Sequence, residues 1–105
     1  MKKLEIVLPR DFLKDMIQII KETKGSGFSY YGLAGGGSTK DMLDKVKLEF
    51  VVKDGDERDI IRKAVQRIGK DIKTGGMVFI SDVTNAVDLV SAKEGEAAIE
   101  EKREA

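Results

Sequence analysis

One stretch in the middle of the chain shows the pattern from which its neighbours can be assigned: Val46-Lys47-Leu48-Glu49-Phe50-Val51-Val52. Charged side chains at Lys47 and Glu49 alternate with apolar ones, which predicts a strand with one face on a core. The Asp-Gly pair at residues 54–55 then turns the chain, and apolar residues at helical spacing predict a helix from Asp56. Residues 77–80 predict the strand that follows this helix.

The same kind of pattern extends toward the N-terminus. Apolar residues alternate from Leu4 to Leu8 in a strand that Pro9 closes, and apolar residues at helical spacing follow to about Thr23. The aromatic segment 28–34 predicts a second strand, in which Gly32 indicates close approach of another backbone. The order strand, helix, strand, strand, helix, strand predicts an α+β, ferredoxin-like βαββαβ sandwich: an antiparallel sheet with two helices on one face. A second copy of the chain is the expected cover for the other face.

The composition excludes several function classes. The chain has 105 residues, 19 Lys+Arg against 19 Asp+Glu, and no Cys or His. This length predicts one domain, residues 1–105, and the missing residue types exclude thiolate and imidazole chemistry and leave only carboxylates for a metal, so none is expected. Zero net charge gives no global attraction to nucleic acid, which is not an expected partner. Residues 1–8 are too few for a signal peptide, so we expect a cytoplasmic protein.

Four segments occur in the order and spacing of the PII signalling proteins, and the chain resembles that family: Val46–Val52, Thr74–Ile80, Asn85–Val87 and Gly95–Ile99. The resemblance implies a ferredoxin-like subunit in a homotrimer, with clefts between neighbours that bind ATP or ADP in the family. It also implies a regulatory protein that is not an enzyme and whose partner is a membrane transporter or a metabolic enzyme.

The chain departs from the family at several positions. The loop at residues 35–45 is short and holds no Tyr, so the family's long target loop with its modifiable tyrosine is not recognisable. Met77 stands where the family has a lysine, and Asp88 and Val90 match two family arginines. Loss of these cations, with Asp88 repelling a polyphosphate, disfavours ATP. The expected effector is an adenine nucleotide such as AMP, ADP or a cyclic adenylate, or a small anion such as bicarbonate.

Two glycine-containing loops hold the candidate binding residues: Gly35, Gly36, Gly37, Ser38, Thr39, Lys40, Thr74, Gly75 and Gly76. Consecutive glycines let backbone N–H groups surround an anion, and the first loop adds hydroxyl donors and one cation. The second loop matches the nucleotide-binding glycine loop of the family it resembles. The alternatives for the first loop are a flexible hairpin loop or a capped start of a short helical turn at Ser38, and the alternative for the second loop is a plain turn into the last strand.

Two other functions fit the same fold class. An enzyme would need Lys, Tyr or Asp residues from different subunits to meet, because no activated nucleophile or paired carboxylate is recognisable. An RNA-binding domain would need stacked aromatics in its third strand, where this chain has only Phe50. The C-terminal segment 91–105 is polar and is expected to be a solvated tail.

Overall fold

The computed structural model describes residues 1–23, 29–32, 45–72 and 75–100. Within these ranges it contains four strands and three helices: β1 (Lys2–Pro9), α1 (Leu13–Glu22), β2 (Ser29–Gly32), β3 (Lys45–Val52), α2 (Asp56–Arg67), β4 (Met77–Asp82) and α3 (Glu96–Glu100). Short 3-10 turns precede α1 at Arg10–Phe12 and follow α2 at Gly69–Asp71. The predicted α+β class is confirmed.

The strands form one antiparallel sheet in the order β2-β3-β1-β4. The first strand is central because it pairs with β3 on one side, with Ile6 opposite Leu48, and with β4 on the other, with Ile6 opposite Val78. Residues directly opposite each other share a sheet face, so the alternation seen in the sequence assigns every strand residue to one of two faces. This arrangement is consistent with a ferredoxin-like fold.

The core lies between one sheet face and the two long helices. Leu4 and Leu48 on the sheet and Met16 and Ile60 on the helices are fully buried. Full burial of a side chain of this size contributes about 1.5–3 kcal/mol relative to leaving it exposed. The apolar helix stripes and the alternating strand positions were both readable from the sequence, and they meet in this single cluster.

An ion pair joins the two long helices at their C-terminal ends. The Arg67 guanidinium donates two hydrogen bonds to the Glu22 carboxylate, at 3.0 and 2.7 Å. These bonds, helped by a further bond from Gln18, lower the pKa of Glu22 from 4.5 to about 2. The pair is partly exposed, so solvent screens it and its share of the stability is small.

The second predicted strand is confirmed in its central part. The structure describes it over Ser29–Gly32, and the other predicted positions, 28, 33 and 34, lie outside the described residues. A Cβ atom on Gly32 would stand 3.0 Å from Nη2 of Arg10, so a side chain approaches this glycine. The predicted close approach of another backbone stays a prediction at this position, because residues 33–44 lie outside the described part of the chain.

The segment after β4 is largely exposed over its described residues 91–100, as expected, but backbone hydrogen bonds hold it against the rest of the chain. The Val83 N–H donates to the Met1 carbonyl at 3.0 Å, and the Gly95 N–H donates to the Ala86 carbonyl at 2.9 Å. The segment ends in α3, where Glu100 pairs with Lys53 at 2.6 Å. The expected polar tail at 91–105 therefore folds back at least as far as residue 100, and residues 101–105 lie outside the described part.

Candidate functional site

Each of the four strands has one terminus at the same end of the sheet. Pro9 at the end of β1 lies opposite Lys45 at the start of β3, and Gly32 at the end of β2 lies opposite Val46. The last strand also begins here, with Met77 opposite Val7. The segment 33–44 therefore starts and ends at this end of the sheet. It contains the predicted residues 35–40, which lie outside the described residues.

An apolar cleft of about 330 Å³ opens near this end of the sheet. It lies between β1 and β4 on one side and the end of α2 with its following 3-10 turn on the other, and its walls include Met16, Val65, Ile68 and Met77. Val65 and Met77 are 64% and 57% exposed, so this side of the cleft faces outward. Its shape and lining suit a small molecule with an apolar part.

The predicted residues Gly75 and Gly76 form part of the wall of this cleft. Gly75 has a φ of +99°, a conformation that side-chain-bearing residues rarely adopt. A Cβ on Gly76 would lie 3.3 Å from Cδ1 of Ile72 and 3.4 Å from the Val7 carbonyl oxygen. The geometry thus requires glycine at the first position and leaves little room at the second. Thr74, the third predicted residue of this loop, lies outside the described residues.

Lys45 is a cation next to the glycine loop that sequence reasoning missed, although it does not itself line the cleft. Its Nζ donates a hydrogen bond to the Gly75 carbonyl at 2.9 Å, which joins the start of β3 to the glycine loop. In the sequence, Lys45 lies at the boundary between a loop and a strand. There it cannot be distinguished from the other charged residues of the strand. The sequence therefore underestimated the positive charge beside this cleft.

Asp88, expected to repel a phosphate, organises its own turn. Its Oδ1 accepts hydrogen bonds from the N–H groups of Val90 at 2.8 Å and Ser91 at 3.2 Å. The same turn holds Ala92 at a φ of 66°. Val90 itself is 98% exposed, so it contacts almost nothing on its own chain. The carboxylate thus has a structural role in the isolated chain, and its effect on a ligand stays a prediction.

Charged side chains on α2 form surface ion pairs. In α2, Arg62 bonds to Asp59, and Arg67 bonds to Glu22, in agreement with a solvated helix face.

No three Asp or Glu side chains of the described residues form a group that could hold a metal ion. None of the described helices is long and apolar enough to cross a membrane.

A comparison with protein families identifies the chain. The family model of nitrogen regulatory protein P-II matches residues 1–93. The chain belongs to this family. It is therefore a P-II-type regulatory signalling protein, and P-II proteins regulate other proteins rather than catalyse reactions. The matched range includes all four strands, the cleft and the turn at Asp88, and it ends before α3.

Proposed function

We propose that this P-II protein assembles as a homotrimer and binds a small effector in the cleft beside Gly75 and Gly76. The effector is an adenine nucleotide with few phosphates, namely AMP, ADP or a cyclic adenylate, or a small anion such as bicarbonate. Binding changes the affinity for a partner protein, a membrane transporter or a metabolic enzyme. Residues 1–105 act as a single domain. The hydrogen bond from Lys45 to Gly75 beside an apolar cleft carries this proposal.

The chemistry of the cleft supports an effector with one apolar and one anionic part. Its apolar walls suit a planar base, and Gly75 and Gly76 let a ligand approach the backbone closely. Lys45 brings a compact positive charge to the glycine loop, where it would attract a phosphate or a carbonate. Residues 35–40 and Thr74 belong to the proposed site because the described residues that flank each of these loops lie at the same end of the sheet as the cleft.

The exposed rim of the cleft supports assembly. Val65 stays more than half exposed in the single chain, so a neighbouring subunit would complete the outer wall. Size-exclusion chromatography with light scattering should give about three times the chain mass of 11.6 kDa. A single-chain mass at working concentration would contradict the trimer and its shared clefts.

Thermal-shift measurements with AMP, ADP, a cyclic adenylate, ATP and bicarbonate test the effector class. A ligand at one hundred times its dissociation constant stabilises the protein by about 2.7 kcal/mol. The largest shift should come from AMP, ADP, the cyclic adenylate or bicarbonate. A largest shift from ATP with magnesium would contradict the argument from the missing cations.

Two lysine variants locate the effector. Lys45→Ala should weaken binding by about ten- to a hundredfold, because a charge-assisted hydrogen bond contributes about 1.5–3 kcal/mol. Lys70→Ala removes a cation from the 3-10 turn Gly69–Asp71 near the cleft and is the matched control, which should bind as the wild type does. Equal affinity of all three proteins would place the effector elsewhere.

A further inference from the structure

The sheet face that points away from the helices carries a compact set of charges. Lys3 lies 3.5 Å from Glu5 and 3.9 Å from Glu49, and Lys47 lies 3.5 Å from each of the same two carboxylates. Each lysine therefore bridges both glutamates, and the four charges sum to zero. We call these four residues the charge quartet. Their side chains are only 25–37% exposed in the single chain.

The quartet arises from a repeated pentapeptide. Residues 3–7 read Lys-Leu-Glu-Ile-Val and residues 47–51 read Lys-Leu-Glu-Phe-Val. The two copies run antiparallel in neighbouring strands, and their central residues, Glu5 and Glu49, lie directly opposite each other. The open face thus has an approximate two-fold pattern, with a lysine and a valine exchanged on either side of the two glutamates.

Strand stability gives little reason for this pattern. Like charges directly opposite in a sheet destabilise it, and Glu5 faces Glu49. The lysines offset this repulsion, but partly exposed ion pairs contribute little, and β-branched or aromatic residues would suit the strands better. Charged groups kept at such positions are best known for setting which partner and which register a surface accepts.

The rim of the quartet indicates a surface that another chain covers. Phe79 lies beside Glu5 on the adjacent strand and is 54% exposed, and Met77 lies beside Val7 and is 57% exposed. A neutral group of alternating charges within an apolar rim is self-complementary, because a second copy can place its lysines against these glutamates. Partners of one net sign would meet an equal number of like charges.

We propose that the charge quartet selects the partner at this face: it admits a second copy of this chain, with lysines of one copy against glutamates of the next, and excludes chains with a different charge order. This inference rests on the proposed homotrimer. It adds that the specificity of assembly lies in four residues, Lys3, Glu5, Lys47 and Glu49, rather than in the apolar contacts around them.

A variant with every sign exchanged tests this proposal: Lys3→Glu, Glu5→Lys, Lys47→Glu and Glu49→Lys. It keeps all four ion pairs within the chain, so it should fold and assemble with itself. This variant has the same composition and therefore the same mass as the wild type. The wild type is labelled with nitrogen-15 so that mass distinguishes the two chains. The two chains are unfolded together, refolded at equal concentration and analysed by native mass spectrometry. We expect mixed trimers to be about tenfold rarer than random assortment allows.

A matched control exchanges an ion pair on the helix layer. Asp59→Arg with Arg62→Asp reverses a pair in α2, on the other side of the sheet, and should mix with the wild type at random. Random mixing of the quartet variant as well would overturn the proposal while leaving the trimer intact. A wild-type chain that stays monomeric would overturn the trimer itself, so the two failures are distinguishable.

A neutral variant keeps the proposal testable if the sign-exchanged chain does not fold. Glutamine at all four quartet positions removes the charges and keeps hydrogen-bonding groups of similar size. Because this surface no longer repels either charge order, we expect it to assemble with wild-type chains in random ratio. Exclusion of this variant from wild-type trimers would show that packing rather than charge selects the partner, and the proposal would fail.

Discussion

The glycine loop beside the cleft offers a sharp test of the geometry at one residue. Gly75 has a φ of +99°, and a methyl group added to it would meet no atom of the described residues within 4 Å. The cost of Gly75→Ala is therefore almost entirely conformational. Holding a non-glycine residue in such a region costs about 1–3 kcal/mol, and the reduced freedom of the unfolded chain recovers about 0.4–1 kcal/mol.

The net expected loss is about 1–2 kcal/mol of unfolding free energy. For a chain near this size, each kcal/mol shifts the melting temperature by roughly 4–8 °C, so Gly75→Ala should melt roughly 4–16 °C below the wild type. The measurement is thermal unfolding followed by circular dichroism, supported by urea unfolding. Both proteins are compared at one concentration, because assembly would make the melting temperature depend on it.

Gly69→Ala is the matched control, since it adds the same methyl group near the same cleft. Its Cβ would lie 3.7 Å from the Ala64 carbonyl oxygen and 3.9 Å from Cγ1 of Val65, which are ordinary contacts. Its backbone does not lie in the positive-φ region, so this variant should be unchanged or more stable by about 0.4–1 kcal/mol. If Gly75→Ala melted with the wild type, or if Gly69→Ala lost as much stability, the reasoning from backbone conformation would be refuted.

Three further outcomes follow from single contacts. Leu48→Ala empties a fully buried core position and should cost about 2–5 kcal/mol in urea unfolding; a loss below about 1 kcal/mol would mean that the core is not closed there. The pKa of Glu22 falls from 4.5 to about 2 beside Arg67, so its contribution is complete above pH 4.5 and is lost as the pH falls through about 2. Glu22→Gln should flatten the acid side of the stability curve over that range, and an unchanged curve would contradict the ion pair. Asp88→Ala removes two turn hydrogen bonds and should increase hydrogen exchange in its turn without altering the β-sheet amides, whereas loss of protection in the sheet would show a wider role.

Local patterns in the chain were enough to assign the element types. Period-two alternation at Leu4, Ile6 and Leu8 and around Leu48 indicated half-buried strands, and the helical spacing after Pro9 and Asp56 indicated the two long helices. These patterns are readable because burial of one face is a repeating demand on the chain. The short aromatic segment is confirmed as a strand over Ser29–Gly32, and its predicted ends lie outside the described residues.

The candidate site was only partly accessible to such reasoning. Gly75 and Gly76 were predicted from the resemblance to the nucleotide-binding glycine loop of the P-II family, and both line the described cleft. Lys45 was missed because a lysine at a strand end has no distinctive local pattern, and its role depends on a glycine loop 30 positions away in the chain. The apolar residues that line the cleft follow the same periodicity as core residues, so the sequence pattern does not show which of them line a cleft.

Local sequence patterns thus specified the helices and the strands, and the composition by itself excluded thiol and imidazole groups. Long-range pairing specified the rest. The register that sets Glu5 against Glu49 and the hydrogen bond from Lys45 to Gly75 each join residues that are far apart in the sequence. Such contacts exist only after the strands have paired, because their energies depend on distances that neighbouring residues in the chain do not set.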